Sequence, residues 1–104
     1  MAARFSRDKG PSQRQLRAGE LVRHALVEIF QREDLRDPAL AGVSLTVTEV
    51  RLSPDLKQAT VFVSPLGASI GKDKHPEIFK ALNHAAPHLR HLLGARIDMK
   101  FTPA

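Results

Sequence analysis

The sequence predicts a single α+β domain that contains helices and a three-stranded sheet. Three observations support this prediction: a length of 104 residues, two regions with apolar residues at helical spacing, and three segments of alternating apolar and polar residues. A chain of this length fits one domain with a modest core. Helical spacing and strict alternation indicate amphipathic helices and half-buried strands. The predicted order is helix, strand, strand, helix, kink, helix, strand.

The first helix is predicted to begin after Ser12. Ser12 and Gln15 have the spacing of a capping box, in which each side chain bonds the other residue's backbone N–H. Gly19 costs a helix about 1 kcal/mol relative to Ala, so we expect the first turns to fray. Asp37-Pro38 should stop the helix at about Asp34, because a residue before proline disfavours the helical conformation. The apolar stripe of the helix consists of Ala18, Val22, Ala25, Leu26, Ile29 and Phe30.

Two strands and a short turn are predicted to form an antiparallel hairpin. Within residues 43–52, apolar residues alternate with Ser and Thr, and the alternation changes phase after Val47. A β-bulge near Thr48-Glu49 would accommodate the additional residue. Residues 53–56 contain a proline and an aspartate typical of turns. The second strand is therefore predicted over residues 58–64, and the short connection makes the pair antiparallel.

The second half of the chain is predicted to contain two helices that meet at a kink. Pro76 suits the first turn of a helix, and apolar residues continue at helical spacing for about five turns. A proline within this stretch has no N–H to donate, and its ring clashes with the preceding turn, at a cost of about 3 kcal/mol. We therefore expect two helices joined by a sharp kink at Ala85, Ala86 and Pro87.

The remaining segments are a final strand and a basic arm at the start. Gly94 is predicted to end the last helix, and residues 96–101 alternate as a third strand that is cut short at Pro103-Ala104. Residues 1–11 are polar and basic and are predicted to form a flexible arm. The domain itself is predicted to span residues 12–104.

The charge distribution indicates a polyanionic partner. The net charge is +5 and the isoelectric point is near 10.2, which makes nucleic acid the first candidate. Residues 1–17 and 80–104 carry the excess of basic residues, whereas residues 18–79 are slightly acidic. The alternative is a basic surface that only solubilises the domain. The candidate RNA-binding residues are Arg4, Arg7, Lys9, Arg14, Arg17, Lys80, Arg90, Arg96 and Lys100.

These cations would contact phosphates, with steep salt dependence and little sequence selectivity. A helix that begins at Pro87 would also direct free N–H groups at a phosphate. Base stacking is not predicted, because the chain has five Phe and no Tyr or Trp. Four of these phenylalanines are predicted to lie in the core: Phe30, Phe62, Phe79 and Phe101.

Neither a metal site nor a catalytic site is predicted. His84, His88 and His91 have helical spacing, but Pro87 should break their register and the chain has no Cys to complete a site. A helix end beside Asp-Pro explains the acidic residues Glu33, Asp34 and Asp37. We therefore expect no cofactor. The absence of an apolar membrane span, of a signal sequence and of cysteine indicates a cytoplasmic protein.

The order of elements matches a type II KH-like domain. The more specific runs include Val47-Thr48-Glu49-Val50, Ser53-Pro54-Asp55-Leu56, Ala59-Thr60-Val61-Phe62-Val63-Ser64 and Leu92-Leu93-Gly94. Together these runs resemble the ribosome-binding factor A family, and the resemblance covers residues 13–103. It implies a monomeric, non-catalytic factor that binds the small ribosomal subunit and its rRNA, assists late rRNA processing and supports growth in the cold. It also implies a functional partnership with an assembly GTPase.

The chain departs from the family pattern at three places. The family has an Ala-x-Gly kink, and Ala85-Ala86-Pro87 places proline where glycine is usual. Ala39 stands where the family has a basic residue after Asp-Pro. The chain ends at Ala104, whereas family members continue the last strand, so we expect a native strand that is longer.

Two other interpretations remain open. The domain could be a generic KH-type RNA binder without preference for the ribosome. It could also be a protein-interaction module that uses the hairpin edge or the kink.

Overall fold

The computed structural model describes residues 10–32, 38–40, 43–66, 75–94 and 96–104. In these ranges the chain forms α1 (Gln13–Gln31), β1 (Ser44–Leu52), β2 (Gln58–Leu66), α2 (His75–Leu93) and β3 (Asp98–Pro103). A 3-10 turn, Pro38–Leu40, lies between α1 and β1. The predicted α+β class and three-stranded sheet are confirmed. Most of the predicted basic arm, residues 1–9, lies outside the described residues.

The capping box at the start of α1 is present. Ser12 Oγ accepts a hydrogen bond from the Gln15 N–H at 3.2 Å, and Gln15 Oε1 accepts one from the Ser12 N–H at 2.9 Å. The Gln15 side chain also donates to the carbonyl of Leu52 at 2.9 Å. One glutamine therefore caps the helix and ties its first turn to the end of β1. The helix ends at Gln31, three residues before the predicted boundary.

Gly19 is buried where α1 crosses β1. A Cβ atom at this position would lie 2.6 Å from the carbonyl oxygen of Val50, which is too close for any other residue without a shift of the backbone. The sequence predicted only the cost of glycine in a helix. In the structure this cost is offset, because the missing side chain allows α1 to pack directly against β1.

The sheet has the order β1-β2-β3. β1 and β2 are antiparallel, and their register shifts between Val47 and Glu49, which confirms the predicted bulge. β2 and β3 are parallel, with pairs from Gln58–Asp98 to Val63–Pro103. The sequence predicted the hairpin but not the place of β3, because a parallel neighbour is set by packing of the connecting helix rather than by a turn.

α2 corrects the prediction of two separate helices. It is one helix of 19 residues with Pro87 inside it. Pro87 and Asn83, whose carbonyl would otherwise bond residue 87, both lie on the exposed side of α2. Water can bond a carbonyl on that side, so the helix can continue past Pro87. Ala86 faces the core and Ala85 is half-buried.

Gly94 ends α2 as predicted. Its φ is +66°, the left-handed conformation that glycine adopts readily after a helix. The Gly94 N–H donates to the carbonyl of His91 at 3.0 Å.

Both helices pack on the same face of the sheet, and the core lies between the two layers. The inward side chains of β2 are Ala59, Val61 and Val63, which are at most 3% exposed. Leu26 of α1 and Leu82 of α2 are fully buried against them. The apolar stripe of α1 and the alternation of the strands are thereby confirmed.

One predicted core phenylalanine lies elsewhere. Phe79 and Phe101 are buried, and the ring of Phe30 lies 6.4 Å from that of Phe101. Phe62 is only half-buried and lies on the opposite face of the sheet, because Val61 and Val63 on either side of it point into the core. The prediction that Phe62 is a core residue is therefore wrong.

Candidate nucleic-acid interface

The directions of the helices place four chain segments at one end of the sheet. Gln15 contacts Leu52 at the end of β1, so the start of α1 lies at this end. Arg90 contacts Asp98 at the start of β3, so the last turns of α2 lie there as well. The hairpin turn, residues 53–57, joins β1 to β2 at the same end. We call this region the hairpin end.

Four of the predicted RNA-binding residues lie at the hairpin end. Arg14 and Arg17 are exposed in the first turns of α1. Arg90 is exposed near the end of α2, and Arg96 is exposed just before β3. The sequence analysis missed Lys57, which is exposed in the hairpin turn and whose carbonyl accepts a hydrogen bond from the Asp98 N–H at 2.9 Å. The fold therefore brings together cations from both ends and the middle of the chain.

The other predicted cations do not belong to this region. Lys80 lies toward the opposite end of α2, beside a shallow groove. Lys100 lies on the face of the sheet away from the helices. Arg4, Arg7 and Lys9 lie outside the described residues. The groove beside Lys80 is lined by Ala39, Glu77, Lys80, Ala81 and His84.

Arg90 forms an ion pair that holds it at the surface. Its Nη1 donates to Asp98 Oδ1 at 2.6 Å, and the two side chains are 45% and 73% exposed. Exposed ion pairs contribute about 0–1 kcal/mol, because water screens the charges and the side chains lose freedom. Arg90 can therefore exchange Asp98 for a phosphate at small cost.

The hairpin turn is held by one carboxylate. Ser53 Oγ donates to Asp55 Oδ1 at 2.6 Å, and the Lys57 N–H donates to the same oxygen at 3.1 Å. The hydrogen bond from Ser53, followed by that from the Lys57 backbone, lowers the pKa of Asp55 below its usual value. Leu56 adopts a φ of +61° to complete the turn. Asp55 therefore remains ionised well into the acidic range and fixes the backbone that carries Lys57.

Two predictions concern the region near Pro87. The predicted phosphate cradle is wrong, because α2 runs through Pro87 and no helix begins there to present free N–H groups. His84, His88 and His91 are exposed on α2. Among the residues that the structure describes, no three His, Cys, Asp or Glu side chains are placed to hold a metal ion.

The face of the sheet turned away from the helices also carries charge. We call it the open face and define it by Glu49, Arg51, Thr60, Phe62 and Lys100. The guanidinium carbon of Arg51 lies 5.1 Å from the centre of the Phe62 ring, and Arg51 Nε donates to Glu49 Oε2 at 2.5 Å. Sequence reasoning missed this arrangement, although the alternation of β2 could have placed Phe62 opposite Val61 and Val63.

Comparison with known proteins gives the family. The family model described as ribosome-binding factor A matches residues 14–104, nearly the whole domain. The chain belongs to the ribosome-binding factor A family. Ribosome-binding factor A of Phenylobacterium zucineum is 63% identical over 95 residues, which are 91% of this chain and 63% of that protein. The factor of Maricaulis maris is 58% identical over 95 residues, 91% of this chain and 64% of that protein.

The chain therefore spans less than two thirds of the length of these family members.

Solved structures of the ribosome-binding factor A family have the same fold. The crystal structure of the factor from Thermus thermophilus superposes with a TM-score of 0.65 at 26% identity, over 86% of this chain and 94% of that chain. A homology model of the Thermus thermophilus factor, fitted into a cryo-EM map of a 30S–RbfA complex, gives a TM-score of 0.59 at 29% identity over 81% of this chain and 88% of that chain.

Within the described residues, no helix has both the length and the apolar character needed to cross a membrane.

Proposed function

We propose that this protein binds the small ribosomal subunit and its rRNA and assists late maturation and rRNA processing, without catalysing a reaction. The observation that carries the proposal is family membership together with the relative that was fitted into a 30S complex. The cations at the hairpin end supply the chemistry that such binding needs. We place the protein in the cytoplasm, where ribosomal subunits are assembled.

The hairpin end would contact the rRNA backbone. Among the described residues of this region, Arg14, Arg17, Lys57 and Arg96 have no ion pair with an acidic side chain. Cations that neutralise phosphates release counterions, so binding should weaken steeply as salt rises. Phosphate contacts position a protein without identifying bases, and the shape of the folded rRNA would supply the selectivity.

Co-sedimentation with small subunits over a salt series tests this proposal. We expect binding to free small subunits to exceed binding to large subunits and assembled ribosomes. A double variant, Arg14→Gln with Arg17→Gln, should weaken binding at every salt concentration. It should also flatten the dependence of log affinity on log salt by roughly 0.7–0.9 for each phosphate that the variant no longer neutralises.

The matched control is Arg23→Gln with Arg32→Gln. These substitutions remove the same charge from the same helix, but Arg23 and Arg32 are paired with Glu20 and Glu28 and lie farther from the hairpin end. Equal loss of binding in both double variants would mean that only net charge matters, which is the behaviour of a generic RNA binder. Unchanged binding in both would favour the protein-interaction module.

A further inference from the structure

The open face carries a second, differently built surface. Thr60 pairs with Arg51 on β1 and with Lys100 on β3, so these three residues form one row across the sheet. Neighbouring strands are about 4.8 Å apart, which separates the backbones of Arg51 and Lys100 by about 10 Å. In the next row, Phe62 pairs with Glu49. The face thus combines one aromatic ring with two cations on rigid, paired strands.

Arg51 is held over the aromatic ring from two sides. The ring of Phe62 lies beneath its guanidinium at 5.1 Å, and Glu49 accepts a hydrogen bond from its Nε at 2.5 Å. A guanidinium in this position offers its outer surface to a further planar group, and unstacked RNA bases stack on such planes and on aromatic rings. This Arg51–Phe62 pair is therefore a prebuilt stacking platform.

We propose that the open face binds single-stranded RNA, with a base stacked on the Arg51–Phe62 pair and the adjoining phosphate on Lys100. The two ends of the row differ in charge, because Glu49 lies beside Arg51 whereas Lys100 has no acidic ion-pair partner among the described residues. A phosphate is repelled from the Glu49 side, so the adjoining phosphate lies at Lys100, and the nearby carboxylate of Asp98 is paired with Arg90. The Thr60 hydroxyl, between the two cations, is placed to bond the ribose or the base edge.

The composition of the face favours RNA over a protein partner. The core of a protein interface is depleted in charged residues and rich in apolar anchors. On the open face a single aromatic ring is surrounded by charged and hydroxyl side chains, which is the combination of stacking surface and cations found in single-strand binders.

This inference goes beyond the proposed function, because it concerns a separate surface and a different form of RNA. The hairpin end would contact the backbone of folded rRNA, whereas the open face would take unpaired nucleotides. Loss of small-subunit binding in the Arg14 and Arg17 variant tests the first surface. Oligonucleotide binding by open-face variants tests the second, so either proposal can fail alone.

The test measures binding of a fluorescent single-stranded oligoribonucleotide of about eight nucleotides, a length within the usual site size of such folds. Phe62→Leu keeps an apolar side chain but removes the ring, and we expect roughly tenfold weaker binding. Arg51→Gln should have a similar effect. The matched control is Arg32→Gln, which removes an equally exposed, Glu-paired arginine from α1 and should change affinity by no more than roughly twofold.

Two further measurements separate stacking from charge and from misfolding. An abasic oligomer of the same length keeps the phosphates, and it should bind weakly and equally to the unmodified protein and Phe62→Leu. In the unmodified protein, NMR amide shifts on adding the oligoribonucleotide should concentrate at Thr60, Phe62 and Lys100. The proposal is overturned if these shifts fall at the hairpin end instead, or if well-folded Phe62→Leu binds as tightly as the unmodified protein.

Discussion

The side-chain amide of Asn83 bonds both backbone groups of Phe101. Its Oδ1 accepts from the Phe101 N–H at 2.7 Å, and its Nδ2 donates to the Phe101 carbonyl at 3.1 Å. The two ends of β3 bond the β2 side of the sheet, through the N–H groups of Asp98 and Ala104. In a parallel ladder, alternate residues of a strand direct their backbone N–H and C=O groups to opposite sides. Phe101 is three residues from both Asp98 and Ala104, so its backbone groups face the free edge of the sheet. Asn83 therefore takes the place of a fourth strand at this position.

Replacing Asn83 by Ala should destabilise the domain by about 1–3 kcal/mol, because two backbone groups and the anchorage of α2 to β3 lose their partner. The stability of Asn83→Asp should lie between that of the unmodified protein and that of Asn83→Ala, because a carboxylate can accept from the Phe101 N–H but cannot donate to its carbonyl. Urea unfolding of both variants measures the free energy, with the exposed neighbour His84→Ala as the baseline. A loss for Asn83→Ala no larger than the His84→Ala baseline would contradict this role.

Gly19→Ala should also destabilise the domain, although alanine is the better helix former. A methyl group 2.6 Å from the Val50 carbonyl oxygen forces α1 away from β1, and such overpacking costs about 1–3 kcal/mol. His24→Ala, at an exposed position of the same helix, should be close to neutral. Thermal unfolding measures the melting temperatures of the two variants. A higher melting temperature for Gly19→Ala than for the unmodified protein would show that α1 can shift freely.

Pro87→Ala should stabilise the domain by about 1–2 kcal/mol. Alanine restores a donor for the Asn83 carbonyl and removes the ring clash, while the more flexible unfolded chain offsets part of the gain. Pro87→Gly should keep the fold and change affinity for small subunits only modestly. Chemical denaturation checks the first expectation, and a marked loss of stability for Pro87→Ala would show that proline itself is required for the shape of α2.

Asp55 should make the hairpin sensitive to acid. The pKa of Asp55 is lower in the folded protein than in an unfolded chain, chiefly because the Ser53 hydroxyl bonds the carboxylate. Its stabilising contribution is therefore complete above the unfolded pKa and is lost as pH falls through the folded pKa. Asp55→Asn should be less stable than the unmodified protein at neutral pH, and the difference should disappear at strongly acidic pH.

The measurement is denaturant unfolding of both proteins over a pH series. Ser53→Ala provides the second variant, since it removes the main cause of the lowered pKa and should move the acid transition upward. A difference between the unmodified protein and Asp55→Asn that stays constant with pH would mean that the carboxylate charge does not support the turn.

Asp98→Asn should increase affinity for small subunits at low salt by a fewfold. The substitution removes a negative charge from the hairpin end and releases Arg90 from its ion pair, and exposed pairs of this kind cost little to break. Co-sedimentation compares this variant with Glu28→Gln, which removes a carboxylate paired with Arg32 on α1. An equal gain for both variants would assign the effect to net charge alone.

The local elements could be predicted from the sequence, because their signals lie in neighbouring residues. The capping box of Ser12 and Gln15, the bulge after Val47 and the stop at Gly94 each depend on contacts within a few positions of the chain. The same holds for the buried faces of the strands, whose alternation follows from backbone geometry.

The way in which these elements meet depends on packing between distant parts of the chain. Pro87 was predicted to divide α2, but packing against the core holds the helix together, and the cost falls on an exposed carbonyl that water can bond. β3 pairs with β2 as a parallel strand, which places Asp98 beside Lys57. The start of β3 thereby becomes part of the hairpin end. The alternation of β2 places Phe62 opposite Val61 and Val63. Only the assembled layers show that both helices cover the Val61 face and leave the Phe62 face open, because that depends on how the helices pack on the sheet.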